Sequence, residues 1–439
     1  MALSCFRKHC IAPAVLILLG LGSLTVTHRQ FGTLLRGWDA QFYFAQAHSL
    51  FLLGKADLTD SIEQSPWAED FGPGGIQNLP RHEGRVTNKY PIGLSLIEGP
   101  FLLLGDRLSP YFMKPSNTNR SRGWYASVVL TVAVGLFLVS AIGLLVLYQQ
   151  LKSLYGIFPA AWGIGCCWFG TSLFYYTSVN PFMAHGAAFT LVVLAVYQSD
   201  KLYSEKRYLW WQGGLLGITF GLLVLVRPQQ ILLLPIVVLL LPRTGWRTAV
   251  SPSFVVVFSA LFLTVCLIQP IFYWISIGRF TLNAYASRGG FFNFLSPDWF
   301  TVLFSPSRGL FFFSPIVALS LLRFADPAPL TFSERVLLLH GVTQVYLIMC
   351  WSFPEQGWSF GARMWCEAAA LIAFFVARVT YSLRKRPSRR LSGIWLSLCL
   401  GACLWTTRLM FVYNGVHGDS IRLMDVSYWQ LIKAIFTSS

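Results

Sequence analysis

Long apolar stretches, separated by short polar ones, constrain this chain more than any other feature. Residues 124–148 contain no charged side chain and are apolar on every side. Inside hydrocarbon a backbone must satisfy its own hydrogen bonds, so we expect such a stretch to form a helix. A closed barrel would need strands that alternate in polarity with a period of two, and these residues do not alternate. The pattern predicts an all-α polytopic integral membrane protein.

The apolar stretches suffice for about eleven crossings, since one crossing takes about 20 apolar residues and fewer where a helix is short or broken. The predicted spans are 11–28, 124–148, 158–177, 181–199, 210–226, 228–242, 251–275, 309–323, 335–352, 363–380 and 391–412. Lys and Arg collect in cytoplasmic loops because they resist translocation. The basic cluster at residues 384–390 therefore places its own loop and, by parity, the N-terminus in the cytoplasm.

The chain is predicted to be one membrane domain, 1–439, whose largest loop, 29–123, faces away from the cytoplasm. Within that loop, residues 91–105 are apolar but interrupted by Gly and Pro, which favours a juxtamembrane helix over a span. The tail, 413–439, is predicted to be an extracytoplasmic interfacial helix. The first apolar run, 11–28, also fits a cleaved signal peptide. A retained helix is preferred because nothing after the run resembles a soluble secreted domain.

The net charge of +16 would suggest nucleic-acid binding in a soluble protein. Here the basic residues follow the loops between spans, and no basic stripe with interleaved aromatic residues lies in a soluble segment. No nucleic-acid partner is therefore predicted. Most of the nine cysteines lie inside apolar runs without forming a C-x-x-C pair, so packing explains them better than metal binding or disulfides.

The first outer loop opens with an acid directly after the first span. Asp39, Tyr43 and Gln46 fall at spacings that share helical faces. At a membrane surface, a carboxylate flanked by aromatic residues is partly desolvated and can accept a proton. An acid in the first turn of a helix, favoured by the helix dipole, is an equally good structural explanation.

A basic stretch, RHEGRVTNKYP, follows in the same loop and includes Arg81 and Lys89. A cation just before an interfacial helix is suited to holding a lipid phosphate. The same residues also fit a solvated basic loop, and the spacing alone favours that second interpretation.

Several short motifs follow one another along the chain. Asp39 stands in D-x-x-x-Y-x-x-x-A-x-S-L and Lys89 in N-K-Y-P, ahead of an apolar stretch and a long span. N-P-F-M-A-H then ends at His185, a Gly-rich stretch ends at Arg227, and S-P-S-R-G-L-F-F-F-S-P and W-S-F-G-A-R follow later. This order resembles the GT-C membrane glycosyltransferases, more narrowly the branch with the protein O-mannosyltransferases and the aminoarabinose transferases.

The resemblance implies transfer of a sugar from a polyprenyl-phosphate carrier to an acceptor at the outer membrane face, usually with inversion. Carried over by position, Asp39 is the base that takes the acceptor proton, and Lys89 meets the donor phosphate. Fixed cations near a low-dielectric boundary stabilise the charge that grows on the leaving phosphate. The other candidates for substrate or phosphate binding are Tyr43, Arg81, His185, Arg227, Arg288, Arg308 and Arg363. Interfacial snorkelling is the alternative for the arginines of the outer loops, and packing is the alternative for the histidine.

Two positions depart from the family's pattern. Asn180 stands where relatives often carry an acid at the start of the fourth span, which puts a second carboxylate or a metal role there in doubt. Tyr90 separates Lys89 from Pro91, where the family has a Lys-Pro-Pro-like sequence. No cofactor is implied, and no cluster of metal ligands with fixed spacing is visible, so no metal is predicted.

Three other roles compete with the transferase. A transporter or flippase would place ionisable residues or unwound segments at mid-bilayer, whereas Arg227 and Glu367 lie near predicted span ends. A lipid-linked oligosaccharide ligase or polymerase would more typically carry its large outer loop late in the chain, and a non-catalytic scaffold is the third alternative. The expected partners are a polyprenyl-phospho-sugar donor, a lipid, glycan or protein acceptor, and the bilayer of a bacterial plasma (inner) membrane.

Overall fold

A computed structural model describes residues 14–417 of the chain except 16, 28–34, 36, 67, 69–74, 87, 113–121, 205–208, 242–250, 282–290, 307, 355, 357–359 and 387. This part of the chain is mostly helical, and its sole sheet is a two-stranded hairpin. The helical class predicted from the apolar stretches is therefore confirmed.

The elements follow one another with short connections. The helices are α1 (Ile17–Thr27), α2 (Trp38–Phe51), α3 (Thr59–Glu63), α4 (Gly93–Phe112), α5 (Ala126–Tyr155), α6 (Ile157–Phe169), α7 (Ala184–Ser204), α8 (Trp210–Val226), α9 (Leu233–Leu240), α10 (Pro252–Ile277), α11 (Trp299–Phe304), α12 (Leu310–Phe313), α13 (Ile316–Ser320), α14 (Phe332–Cys350), α15 (Ala370–Lys385) and α16 (Arg389–His417). A π-helical turn occurs at Tyr175–Val179, and 3₁₀ turns occur at Ile76–Asn78, Arg122–Trp124, Pro228–Leu232, Leu321–Ala325 and Arg363–Ala368. The hairpin pairs β1 (Arg81–His82) with β2 (Arg85–Val86) in antiparallel fashion.

Three of the described helices are long and apolar enough to cross a membrane: α5, α10 and the Arg389–Tyr413 part of α16. Shorter apolar helices accompany them at Ile17–Thr27, Ile157–Phe169, Trp210–Val226, Pro228–Leu240 and Ile316–Ala325. Helical segments thus occur at every position where a span was predicted. The eleven crossings and their orientation stay a prediction.

Glycines on α8 bring this helix against α10. A Cβ added at Gly213 would lie 2.5 Å from the carbonyl oxygen of Phe254, and one at Gly217 would lie 2.5 Å from that of Phe258. Small residues allow such close approach of two helix backbones. The later glycine of α8 contacts the later phenylalanine of α10. The two helices therefore run parallel and end on the same side of the protein.

The juxtamembrane segment predicted at 91–105 forms the helix α4. On α4, the Ser95 hydroxyl donates to the Tyr43 carbonyl oxygen at 2.9 Å and lies 2.8 Å from Oε1 of Gln46. These contacts fix α4 against α2, so these two helices of the predicted outer loop pack directly on each other.

The β1–β2 hairpin docks on the end of α10. Its turn residues Glu83 and Gly84 both have positive φ, 51° and 79°, as a type I′ hairpin turn requires. Arg85 follows the turn, and its Nη1 donates to the Ile275 carbonyl oxygen at 3.2 Å. The hairpin therefore lies at the same end of the molecule as the C-terminus of α10.

The span predicted at 309–323 is not one continuous helix. Ser314 and Pro315 separate α12 from α13, and the 3₁₀ turn Leu321–Ala325 follows. Proline has no N–H to donate and its ring clashes with the preceding turn. Pro315 therefore accounts for the break at this point, although α4 and α10 continue through Pro100 and Pro270.

Some predictions fall outside the described residues. Arg288 is one of them, and residues 418–439 of the predicted interfacial tail are another. Within the predicted tail, α16 continues to His417. The seven cysteines that the structure describes are all unbridged.

Candidate active site

The predicted base, Asp39, lies in the first turn of α2. Gly37, which precedes the helix, has φ +83°, a conformation that favours glycine and turns the chain into α2. Most of α2 is buried, but the Asp39 side chain keeps 27% of its surface exposed. The carboxylate is therefore anchored on a packed helix and remains accessible.

Asp39 contacts residues from two distant parts of the chain. Arg363, 324 positions away, donates from Nη1 to Oδ2 of Asp39 at 2.9 Å. The Tyr90 hydroxyl donates to the other carboxylate oxygen, Oδ1. We call Asp39, Lys89, Tyr90 and Arg363 the Asp39 site.

The Asp39 site holds its carboxylate ionised. Burial alone would raise the pKa of Asp39, but the charge of Arg363, the hydrogen bond from Tyr90 and the charge of Lys89 hold that pKa below its usual value. At neutral pH Asp39 is therefore an anion that can accept a hydrogen bond or a proton.

Lys89 and Tyr90 lie between the hairpin and α4. The Tyr90 ring packs against Phe42 and Tyr43, with centroids 5.6 Å and 5.1 Å apart. Asn88 accepts the Tyr90 backbone N–H at 2.9 Å, which fixes the local turn. Lys89 is half-buried, and its Nζ lies 5.2 Å from the centroid of the Tyr90 ring. The tyrosine that departs from the family's motif is thus the residue that joins Lys89 to Asp39.

A second cluster, which we call the Glu367 cluster, lies beside the first. Glu367 is fully buried, and its Oε1 lies 3.0 Å from Nδ1 of His185 and 3.1 Å from Nε of Arg227. His185 stands in the first turn of α7, and Arg227 directly follows α8. Three distant elements therefore meet at one carboxylate.

The 3₁₀ turn Arg363–Ala368 joins the two clusters because it carries both Arg363 and Glu367. The charge of Arg363 also acts on the ring of His185 and on Tyr176. The Tyr176 hydroxyl accepts from the Phe360 N–H at 2.9 Å and lies 3.0 Å from the Phe360 carbonyl oxygen. These bonds hold the chain in place just ahead of Arg363.

The combined site can bind an anion and receive a proton. Lys89, Arg227 and Arg363 supply three cations, and Asp39 and Glu367 supply two carboxylates. Guanidinium groups present planar N–H donors that match phosphate geometry. Among the described residues, no group of three or more His, Cys, Asp or Glu side chains lies close enough to hold a metal ion. The predictions on metals and cofactors stay predictions.

The structure brings together five of the predicted site residues: Asp39, Lys89, His185, Arg227 and Arg363. Tyr43 is buried and supports Tyr90 from behind.

Arg81 and Arg308, two further predicted site residues, belong to the hairpin and to the loop ahead of α12. Arg81 is exposed on the hairpin and donates to the carbonyl oxygen of Gly84, 2.8 Å away in the same turn. Arg308 is 2% exposed, so its guanidinium is buried in the loop ahead of α12 and does not snorkel into an interface.

Sequence reasoning missed Tyr90 and Glu367 as members of the site. Glu367 offered a signal, because an ionisable residue inside an apolar stretch is by default a functional candidate. The only signal at Tyr90 was that it interrupts the Lys-Pro-Pro-like motif of the GT-C resemblance. Such a difference does not indicate what the residue does.

No family model matches this chain, and no curated protein matches it. The likeness to the GT-C glycosyltransferases therefore depends on the order of the motifs alone. What the two clusters can do is inferred from their charges, hydrogen bonds and distances.

Proposed function

We propose that this chain is a GT-C-type glycosyltransferase that moves a sugar from a polyprenyl-phosphate donor to an acceptor hydroxyl at the extracytoplasmic membrane face. The observation that carries the proposal is the meeting of Asp39 with Lys89, Tyr90 and Arg363. A carboxylate held ionised beside fixed cations supplies both the base and the phosphate contacts that such a transfer needs.

The proposed reaction is a displacement at the anomeric carbon of the sugar. The acceptor oxygen forms a bond to that carbon, and the bond to the phosphate oxygen breaks with its electron pair going to the phosphate. The acceptor proton goes to Asp39. Lys89 and Arg363 stabilise the charge that grows on the phosphate. A guanidinium has five N–H donors, so Arg363 can hold Asp39 with one and still face a phosphate.

The low pKa of Asp39 sets the timing of the proton transfer. A carboxylate beside Arg363 and Tyr90 is a weak base in the ground state. The acceptor hydroxyl becomes acidic only as its bond to the sugar forms, so the proton moves late in the reaction. Until then, Asp39 orients the hydroxyl as a hydrogen-bond acceptor.

In the proposed orientation this site lies on the extracytoplasmic side of the membrane. Glu367 lies just before α15, whereas Arg384 and Lys385 lie in its last turn. The 16 residues of α15 span about 24 Å at 1.5 Å per residue, so the Glu367 cluster and the basic residues lie at opposite ends. If the basic end faces the cytoplasm, Asp39 faces away from it.

The proposal is tested with purified protein in lipid nanodiscs, a panel of undecaprenyl-phosphate sugars and Asp39→Asn. We expect the substitution to abolish transfer without lowering membrane expression. Asp106→Asn is the matched control, since Asp106 is a half-buried carboxylate on α4 outside the site. Full transfer by Asp39→Asn would refute the base assignment, and absence of both binding and transfer by the wild-type protein would refute the function.

A transporter of lipid-linked sugars is the second candidate, and the Glu367 cluster favours it. Buried ionisable residues beside interrupted helices are typical of transport sites, and Glu367 is fully buried within a 3₁₀ turn. In proteoliposomes, a transporter would move the donor across the bilayer without cleaving its sugar–phosphate bond. Release of free undecaprenyl phosphate distinguishes the two functions.

A further inference from the structure

A buried polar group adjoins the Glu367 cluster. It consists of Gln230, His340 and Gln344, and we call it the Gln230 trio. Each member is at most 1% exposed. Nε2 of His340 lies 2.6 Å from Oε1 of Gln230, and Nε2 of Gln230 donates to Oε1 of Gln344 at 3.3 Å.

The trio lies at the level of Glu367. Gln230 belongs to the turn that follows Arg227, and its N–H donates to the Arg227 carbonyl oxygen at 2.9 Å. On the other side, Nε1 of Trp365 donates to the carbonyl oxygen of Gly341 at 3.3 Å, which ties the turn of Glu367 to α14 next to His340. The charge of Glu367 also reaches the His340 ring.

The orientation of the two glutamine amides assigns the donor and acceptor roles within the trio. Because Gln230 donates through its amide nitrogen to Gln344, its oxygen is the acceptor for His340. Nε2 of His340 therefore carries the proton, and Nδ1 is an acceptor.

Three polar atoms at this level have no hydrogen-bond partner among the described residues. They are Nδ1 of His340, Nε2 of Gln344 and Oε2 of Glu367. Nδ1 and Oε2 are acceptors, whereas Nε2 is a donor. Buried polar atoms without partners cost free energy, and in native structures each one calls for an explanation.

We propose that these three atoms bind the hydroxyl groups of the donor's sugar, an inference that rests on the proposed function. A hydroxyl both donates and accepts, so adjacent hydroxyls of a sugar ring complement a set of two acceptors and one donor. The Glu367 charge is balanced by Arg227 at 3.1 Å, so these buried groups match an uncharged ring. A neutral hexose is therefore the expected sugar, ahead of a cationic amino sugar or an anionic uronic acid.

The arrangement separates two tasks within the site. The Asp39 site, with its excess of cations, faces the phosphate, while the Gln230 trio and Glu367 face the sugar. Residues 340 and 344 are one helical turn apart on α14, so both can contact the same ring. The trio then acts in specificity, not in bond cleavage.

The test measures binding to full-length protein in nanodiscs. The probes are undecaprenyl phosphate alone, the same lipid carrying mannose, glucose or galactose, and the lipid carrying 4-amino-4-deoxyarabinose. We expect the wild-type protein to bind at least one of the hexose-bearing lipids about tenfold more tightly than the bare phosphate, as one or two good hydrogen bonds allow. In Gln344→Leu this preference is lost and the affinity for the bare phosphate is kept, which also reports that the variant is folded.

A second variant reverses the chemistry without breaking the trio. Gln344→Glu keeps an oxygen to accept from Gln230 and adds a negative charge. It is expected to bind the amino-sugar lipid more tightly than the wild-type protein does. Gln198→Leu is the matched control, since Nε2 of Gln198 donates to Thr219 on a different pair of helices; it should keep the wild-type preference.

The outcomes separate the inference from the function on which it rests. A wild-type protein that binds the phosphate lipids but favours no hexose, or favours the amino sugar, overturns the inference and leaves the proposed function standing. An unchanged preference in Gln344→Leu also overturns it. A wild-type protein that binds none of these lipids refutes the proposed function, and the inference falls with it.

Discussion

Two groups of charged side chains lie towards opposite ends of α15, and they are built differently. Away from the Asp39 site, Arg323, Asp326, Glu334 and Arg378 form what we call the Arg323 cluster. The guanidinium of Arg323 makes five hydrogen bonds, at 2.8 Å and 3.3 Å to the two Glu334 oxygens and at 3.1 to 3.4 Å to three backbone carbonyls. A guanidinium has five N–H groups, so every donor is used.

The carboxylates of the Arg323 cluster are equally well satisfied. Glu334 also accepts the Thr331 N–H at 2.8 Å in a capping box. Asp326 accepts from Arg378 twice, at 3.1 Å each, and from Ser382. Arg323 has no N–H left for a ligand, and Glu334 is held by Arg323 and by its capping box, so this buried pair serves to hold α14 in place. Arg378, whose side chain is 21% exposed, ties Asp326 to α15.

The Asp39 site and the Glu367 cluster keep capacity for further partners. Oε2 of Glu367 has no partner among the described residues. The side chains of Asp39 and Arg363 remain 27% and 15% exposed. The difference teaches that saturation of hydrogen bonds, more than burial or charge, separates a structural cluster from a candidate site in this fold.

The largest expected effect is on stability, at the saturated cluster. Arg323→Met leaves Glu334 buried without its partner, and such a loss costs about 3–5 kcal/mol in the free energy of unfolding. Arg363→Met, at the partly exposed Asp39 site, should cost about 1 kcal/mol, since an ion pair that keeps contact with solvent contributes less than a buried one. Thermal and denaturant unfolding in detergent measure both. Equal losses would mean that the two groups of charges do not differ as described.

The next effect is on the rate of transfer, and it reverses the order of the two variants. Arg363→Met removes a cation that faces the proposed phosphate, so transfer should fall about 10²- to 10³-fold, as for the loss of one preorganised donor. Arg323→Met protein that is still folded at low temperature should keep its rate per folded molecule. Initial rates with an undecaprenyl-phosphate hexose give both values. A slow Arg323→Met enzyme that is fully folded would contradict the assignment.

The pH dependence sharpens the role of Tyr90. The Asp39 carboxylate must be ionised to act, and its pKa is lowered, so activity is present above that pKa and is lost as the pH falls through it. Tyr90→Phe removes one hydrogen bond to the anion and raises the pKa. The acid limb of the kcat/KM profile should therefore move to higher pH, with a loss of less than about tenfold at neutral pH. An unmoved acid limb would show that Asp39 does not control it.

The sequence predicted the positions of the helices well because apolar runs and their bounding polar residues act locally. Arg227 was expected at the end of a Gly-rich helix, and it lies directly after α8. Asp39 was expected on a helix after the first apolar run, and it lies in the first turn of α2. Such features need no knowledge of what packs against them.

The composition of the site was harder to predict because it depends on contacts between distant segments. Nothing local to Asp39 indicates that Arg363 is its partner, 324 positions away. Glu367 and His185 meet across 182 positions. The resemblance in motif order predicted several of these residues as members of the site. It did not predict which carboxylate each cation contacts.

The smallest expected effect tests the edge of the site, at Arg81. This residue was predicted to bind donor phosphate, but its guanidinium is exposed and contacts the carbonyl oxygen of Gly84 in its own hairpin. Arg81→Ala should therefore change the free energy of unfolding by no more than about 0.5 kcal/mol, the usual range for surface substitutions, and leave the transfer rate within about twofold of wild type. Lys89→Ala, measured beside it, should be far slower because Lys89 lies within the electrostatic reach of Asp39. If Arg81→Ala lowered the transfer rate as much as Lys89→Ala, the phosphate-binding surface would extend to the hairpin. Arg81 would then belong to the functional charges and not to the structural ones.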